Sequence, residues 1–193
     1  WYIDQLLKDL DPRMARRMVY GEWLEIAAEV VYYAYDRNRN FKNESYDINE
    51  GYPIEFSFDF NIGVGKPMSA CFYQYVGGVF HFFSEAVVHG ANTEDLLEEI
   101  ASRGLFNYKT KYIYHGDATG KHRDTRSKRS DYDIIHKFLM EYRTPSGTGI
   151  HFEGQVPLSN PPVRSRHNTV NAQMLNSQGD VRLFVYRDCP VLD

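Results

Sequence analysis

The sequence predicts an α/β domain: a mixed five-stranded sheet, three antiparallel strands followed by strand–helix crossovers, with helices on both faces. Three observations predict it. Residues 55–88 hold three strand-like runs in close succession, which make an antiparallel meander. Downstream of them, apolar residues at helical spacing alternate with short strand-like runs, the pattern of crossovers in a layered sheet. Aromatic residues make up 15% of the 193, with Tyr 15 and Phe 12, which suits a sheet-rich interior with several tyrosine hydroxyls reaching the surface. A chain of this length is one domain, or one domain with an appendage, and is large enough to bury a sizeable core.

Taken in order, residues 1–35 read as interrupted helix. Leu6, Leu7 and Leu10 make an apolar stripe, Asp11-Pro12 starts a second helix with proline at its first position, and Met14, Met18, Trp23 and Leu24 continue it. Arg13, Arg16 and Arg17 form a small basic face, read as a solvated helix surface. Residues 35–51 are rich in Asn, Asp and Arg without periodicity and read as loop or linker. The first strand follows. Phe56, Phe58 and Phe60 alternate with Glu55, Ser57, Asp59 and Asn61, the period of a strand with one face turned to a core. Ile62-Gly63-Val64-Gly65-Lys66-Pro67 breaks that pattern. The Gly63–Gly65 spacing is no nucleotide fingerprint, because a strand and not a helix comes next.

Residues 68–76 and 79–88 are the second and third strands, joined by a tight Gly77-Gly78 turn. Asn92-Thr93-Glu94 opens a helix with Leu96, Leu97, Ile100 and Leu105 on its apolar face and Gly104 near its end. Residues 111–115 make a fourth short strand, followed by Gly116-Asp117-Ala118-Thr119-Gly120. Ser130 caps a helix over 131–143 whose apolar face is Ile134, Ile135, Phe138 and Leu139. Residues 145–160 read as loop, with a short strand around Ile150-His151-Phe152. Pro161-Pro162 opens a helix through Val170 and Leu175 that ends near Gly179, and residues 181–186 form the fifth strand.

The formal net charge of -4 makes the chain no polycation, so any nucleic-acid surface must be a local patch. Cys71 and Cys189 lie far apart and form neither a metal-ligand nor a redox spacing, which points to two reduced thiols in a cytosolic compartment. There is no signal peptide and no apolar run long enough to span a membrane. The chain opens on Trp1 within a helical stretch and ends at Asp193 just past a strand, so the expectation is a segment of a longer polypeptide.

Two carboxylates carry the chemistry. Asp59 stands in an aromatic strand where propensity disfavours it, and a half-buried carboxylate needs a partner or a cation. Asp117 follows the fourth strand directly. When two such strands pair, their terminal carboxylates converge, and the repulsion between them is relieved by a proton or by a cation. A hard oxygen site suits Mg²⁺ or Mn²⁺ and can hold two ions that activate a water and stabilise a phosphodiester's leaving oxygen. Beside it runs a basic stretch, Lys121, His122, Arg123, Arg126, Lys128 and Arg129, fit to hold a phosphate backbone; Arg164 and Arg166 are weaker contacts of the same kind. Asp131, at a helix start, reads first as a cap and second as a metal ligand. Glu85 reads as a surface group or as support for the site, and His115 as a packed histidine.

The residues resemble a family. Phe58-Asp59-Phe60-Asn61 with Pro67, Gly116-Asp117-Ala118-Thr119-Gly120, and Arg129-Ser130-Asp131-Tyr132 at a helix start look like the C-terminal nuclease domain of tailed-bacteriophage large terminase subunits. Arg164, Asn168 and Val170-Asn171-Ala172, ahead of Arg182-Leu183-Phe184-Val185, add to the likeness, and residues 14–23 are similar to the segment linking the packaging ATPase to the nuclease. The resemblance implies an RNase H-like fold over residues 51–193, with residues 1–50 as a helical linker from an upstream ATPase domain. It implies a two-metal-ion endonuclease that cuts concatemeric viral DNA during headful packaging. Asp59 matches the acid of the first strand and Asp117 the acid after the fourth. A third acid belongs to a helix after the fifth strand; with that strand ending near Tyr186, this helix is expected to lie beyond Asp193, and Asp188 and Asp193 come too early to replace it. The implied partners are double-stranded DNA, the ATPase domain, the portal protein and the small terminase subunit, in the cytoplasm of an infected bacterium at the procapsid portal, with no membrane. Two other readings stay open: a non-catalytic RNase H-like DNA-binding or docking module, and a resolvase- or transposase-type nuclease.

Overall fold

The architecture is that of a computed structural model describing residues 2–22, 30–61, 66–121, 129–190 and Leu192. Trp23, Leu24, Gly63 and Gly65, singled out above, lie outside the described residues, as do His122, Arg123, Arg126, Lys128 and Asp193. The chain runs α1 (Tyr2–Asp9), α2 (Pro12–Met18), α3 (Arg37–Asn40), β1 (Phe41–Lys42), β2 (Ile54–Asp59), β3 (Pro67–Val76), β4 (Val79–His89), α4 (Thr93–Ser102), β5 (Lys111–Gly116), a 3₁₀ turn (Ala118–Lys121), α5 (Asp131–Glu141), β6 (His151–Gly154), α6 (Val163–Met174) and β7 (Leu183–Tyr186).

The sheet is mixed, as its sequence predicts, but among the described residues it has seven strands rather than five, in the order β1-β7-β4-β3-β2-β5-β6. The meander β2-β3-β4 is antiparallel. Its second turn is built from Gly77 and Gly78 at φ 60° and 87°, the left-handed values that a two-residue hairpin of matching twist demands. On one side β5 and then β6 add in parallel. On the other, β7 runs parallel to β4, and β1 parallel to β7.

The two strands beyond the expected five are the short β1 and β6. Residues 183–186 extend the β4 edge, and the strand beside β5 is the short β6. Periodicity marks a run as a strand but says nothing of which neighbour its backbone will pair with. The helix that follows β6 is α6, within this chain; its sequence, Val163 to Met174, holds no Asp or Glu. The stretch read as loop before residue 51 also contributes structure. Asp36 caps the one-turn α3, and buried Asn40 donates to the carbonyls of Met174 and Leu183, 2.9 and 3.0 Å away, which seats β1 on the sheet edge.

Strand alternation sorts the two faces. Ile54, Phe56, Phe58, Met68, Ala70, Phe72, Tyr112 and Tyr114 point to one side and pack against Leu96, Leu97 and Ile100 of α4 and Tyr132, Ile135 and Leu139 of α5. Both helices start on capping boxes, at Asn92 with Asp95 and at Ser130 with Asp133. On the other side a smaller cluster joins Phe80, Phe82, Leu183 and Val185 to Val170 and Met174 of α6. Helices thus cover both faces. α6 covers only part of its face, and Glu55, Ser57, Tyr73 and His115 there stay half-buried.

Candidate active site

β2 and β5 pair in parallel with Phe58 opposite Gly116, so Asp59 and Asp117 are the next residues along two adjacent strands. They emerge at the carboxyl ends of those strands, on the half-covered face that Glu55 and His115 also occupy. There the His115 imidazole lies 2.7 Å from the Glu55 carboxylate, a polar pairing in place of simple packing. Alternating phenylalanines fix which face of β2 is buried, and a one-residue slip would turn them all outward.

Asp117 is held firmly. Its Oδ1 accepts from the Thr119 amide at 2.8 Å, the Thr119 hydroxyl at 2.7 Å and the Asn160 side-chain amide at 2.6 Å. Its Oδ2 faces Arg166 Nη1 of α6 at 4.0 Å. The Asn160 bond first, then the two from Thr119, hold this carboxyl below its usual range, with Arg166 adding a smaller push the same way. Asn160 also accepts from the Ala118 amide at 2.9 Å and so brackets the whole turn. Asp59 is exposed and takes a bond from Asn61 Nδ2 at 2.8 Å on Oδ2.

Packing explains the glycines around Asp117. A Cβ on Gly116 would lie 2.5 Å from the Tyr132 hydroxyl, and one on Gly120 would lie 2.6 Å from Phe60 Cε2. The Phe60 and Tyr132 rings meet edge to face at 5.3 Å, and the Tyr132 hydroxyl donates to the Asp117 carbonyl at 2.8 Å. The Gly-Asp-Ala-Thr-Gly run and the Ser-Asp-Tyr helix start are thus two halves of one assembly, pressed together under the acidic strand ends.

The other expected site residues make contacts of their own. The Asp131 carboxylate accepts from the Thr93 hydroxyl at 2.5 Å and ties the starts of α4 and α5 together. Glu85 is buried rather than superficial, and its carboxylate receives the Leu192 amide at 3.1 Å. Lys121 donates to the carbonyls of Val156 and Pro157, 3.2 and 2.9 Å away, and so braces the loop that carries Asn160. Arg129 and Arg164 are exposed, as a phosphate contact requires. Asn160 and Thr119 were not anticipated as site residues. The only sequence signals were a short polar side chain two residues past Asp117, and an asparagine just before Pro161-Pro162.

Asp59 and Asp117, at the ends of paired strands, are the residues that could hold a hydrated divalent ion, since magnesium is commonly bound through one or two carboxylates and keeps several waters. Asp117 Oδ2 and Asp59 Oδ1 are the oxygens left for it, as no described residue hydrogen-bonds either one. Among the described residues no group of three or more His, Cys, Asp or Glu forms a fuller ligand set.

No known family profile matches the chain, and no curated protein sequence does. Solved structures do. The chain superposes on the large terminase of a thermophilic bacteriophage, in complex with ATP-gamma-S, with a TM-score of 0.61 and 11% identity, over 98% of this chain and 42% of that one. On the P22 large terminase nuclease domain the TM-score is 0.55 and the identity 10%, over 87% of this chain and 77% of that domain. The chain spans 42% of the length of the thermophilic phage's terminase, and what it shares with both is the fold.

Proposed function

We propose that this chain is a divalent-metal-dependent endodeoxyribonuclease domain, which cuts concatemeric viral DNA during headful packaging. The observation that supports the reading best is the in-register pairing of β2 with β5, which sets Asp59 beside Asp117 on a fold shared with a terminase nuclease domain. Asp59 and Asp117 would hold Mg²⁺ or Mn²⁺, which when bound polarises a phosphodiester and lowers the pKa of a water. Thr119 and Asn160 keep the Asp117 carboxylate from turning. Phe60, Gly116, Gly120 and Tyr132 keep the turn that carries it in place. Arg129, Arg164 and Arg166 offer exposed charge to double-stranded DNA, and the basic residues His122, Arg123, Arg126 and Lys128 of the sequence add to the proposed contacts. Lys121 acts through the loop it braces.

In the full assembly a third acid from outside α6 would complete a two-ion site, residues 1–50 link to an ATPase domain, and the portal and small terminase subunit complete the motor in the infected cell. Plasmid nicking in Mn²⁺, Mg²⁺ and EDTA tests the core of this. Cutting should require metal, fall more than about 100-fold in Asp59→Asn and Asp117→Asn, and fall about 10–100-fold in Asn160→Ala, which disturbs a ligand's support rather than a ligand. If all forms bind duplex alike and none cuts, the chain is a docking module; a preference for branched DNA would make it a resolvase-type enzyme.

A further inference from the structure

Resting on that reading, we propose that Arg166 is a placeholder cation: it neutralises Asp117 until a DNA phosphate draws its guanidinium away, freeing the carboxylate for metal. The geometry around Asp117 is one-sided. Oδ1 holds three donors between 2.6 and 2.8 Å, so the carboxylate cannot turn without breaking them. Oδ2 is the oxygen left for a metal, and it already faces a positive charge, Arg166 Nη1 at 4.0 Å. A guanidinium and a divalent ion on the same oxygen repel each other at that range, so each weakens the other's hold on it.

The contact is of a kind that exchanges. At 4.0 Å it is an ion pair without a hydrogen bond, and its side chains are 46% and 32% exposed. Pairs of that sort shift an equilibrium by about fivefold at most. The Arg166 guanidinium makes no hydrogen bond to a described residue, and its planar fork of donors matches the geometry of a phosphate. α6 brings it there from a fixed base. Val170 and Met174 anchor the helix in the cluster with β7, and Asn171 ties it to the Ala34 amide and the Val31 carbonyl at 3.0 and 2.9 Å. Arg166 thus projects from a seated helix, and the exchange needs only its side chain to swing. Metal and DNA then favour each other: phosphate binding removes a competitor for Asp117, and by linkage metal binding releases Arg166 to phosphate.

The test combines two titrations on the folded chain, with melting curves confirming that the variants fold. Free Mn²⁺ is followed by its electron paramagnetic resonance signal in the absence of DNA, for wild type, Arg166→Gln, Arg166→Lys and Asp59→Asn. Arg166→Gln should bind Mn²⁺ about three- to fivefold tighter than wild type, Arg166→Lys within twofold of it, and Asp59→Asn far more weakly. Duplex binding is then followed by anisotropy in EDTA across a range of salt. There Arg166→Gln should lower the salt slope by about one phosphate contact. Unchanged or weaker Mn²⁺ binding in Arg166→Gln overturns the inference while leaving the nuclease reading in place. Tighter Mn²⁺ binding with an unchanged salt slope makes Arg166 a counter-ion alone and overturns the hand-over. If wild type binds no more Mn²⁺ than Asp59→Asn does, the inference and the metal reading fall together.

Discussion

The two faces of this sheet are built by different physics. The face under α4 and α5 is closed by rings: Phe56 stacks on Phe72 at 5.0 Å and meets Phe58 and Phe106 edge to face, all within one cluster of buried residues. The face under α6 is closed by a smaller apolar cluster together with directional bonds. Buried Asn171 accepts from the Ala34 amide and donates to the Val31 and His167 carbonyls, and buried Asn40 joins α6 to β7 through two more carbonyls. Ser177 and Arg182, between α6 and β7, donate to the carbonyls at the end of α1, which buries no residue of its own. Apolar burial has no direction and tolerates small shifts, whereas an amide bonded at both ends fixes position at the risk of an unsatisfied group. The candidate site lies on the second face. A cation site needs open, polar, well-oriented groups, and the aromatic face supplies the stability that such groups do not.

That contrast can be broken experimentally. The largest effect should come from Phe56→Ala, which empties the centre of the aromatic face and should cost about 3–5 kcal/mol in urea unfolding. Hydrogen exchange should then quicken across β2, β3 and β5 together. A change confined to β2 would show that the rings do not act as one core.

Asn171→Ala should cost less, about 1–3 kcal/mol, because it strands buried backbone groups without opening a large cavity. Exchange should rise in residues 163–174 and in 31–35 while α5 keeps its protection. Equal loss in α5 would mean that the faces are not separable. Nicking should fall with it, since Arg166 and Asn160 flank the start of that helix.

The smallest effect is a pH slope from His81, whose ring stacks on Tyr46 and whose Nδ1 lies 3.1 Å from the Tyr186 hydroxyl. Burial pushes its pKa below the ordinary 6.5, so the unfolded chain takes up a proton that the folded one resists. With more protons bound in the unfolded state, stability rises with pH through that window and is lost as pH falls below 6.5. Urea midpoints between about pH 7.5 and pH 5.5 should fall less steeply in His81→Gln than in wild type. Identical slopes would mean that the loss comes from other groups.

Much of the first face could be read directly. Period-two phenylalanines in β2, leucines at helical spacing in α4, and the Asn92 and Ser130 caps are local patterns whose physical cause lies within a few residues, and each formed where those patterns put it. The two acids were equally legible, because a carboxylate at the end of an aromatic strand conflicts with its surroundings and stands out. Their register was not written in either segment. It came from β2 choosing β5 as its parallel neighbour, a choice made by packing across the whole sheet.

The second face shows what tertiary structure alone decided. Residues 181–186 carried a strand pattern, and nothing local said that they would join β4 rather than extend past β5. Residues 151–154 form the edge strand beside β5, and the helix after it is α6, which brings an arginine to Asp117. Asn160 sits in an aperiodic loop and became a support for Asp117 only because that loop folds back across the β5 turn. Sequence by itself determined most of the elements, the buried faces and the two strand-end carboxylates, since those depend on spacing along the chain. Which strands meet, and which side chains meet the carboxylates, depends on contacts between residues far apart in the chain, such as Asn160 with Asp117, and those exist only once the sheet has closed.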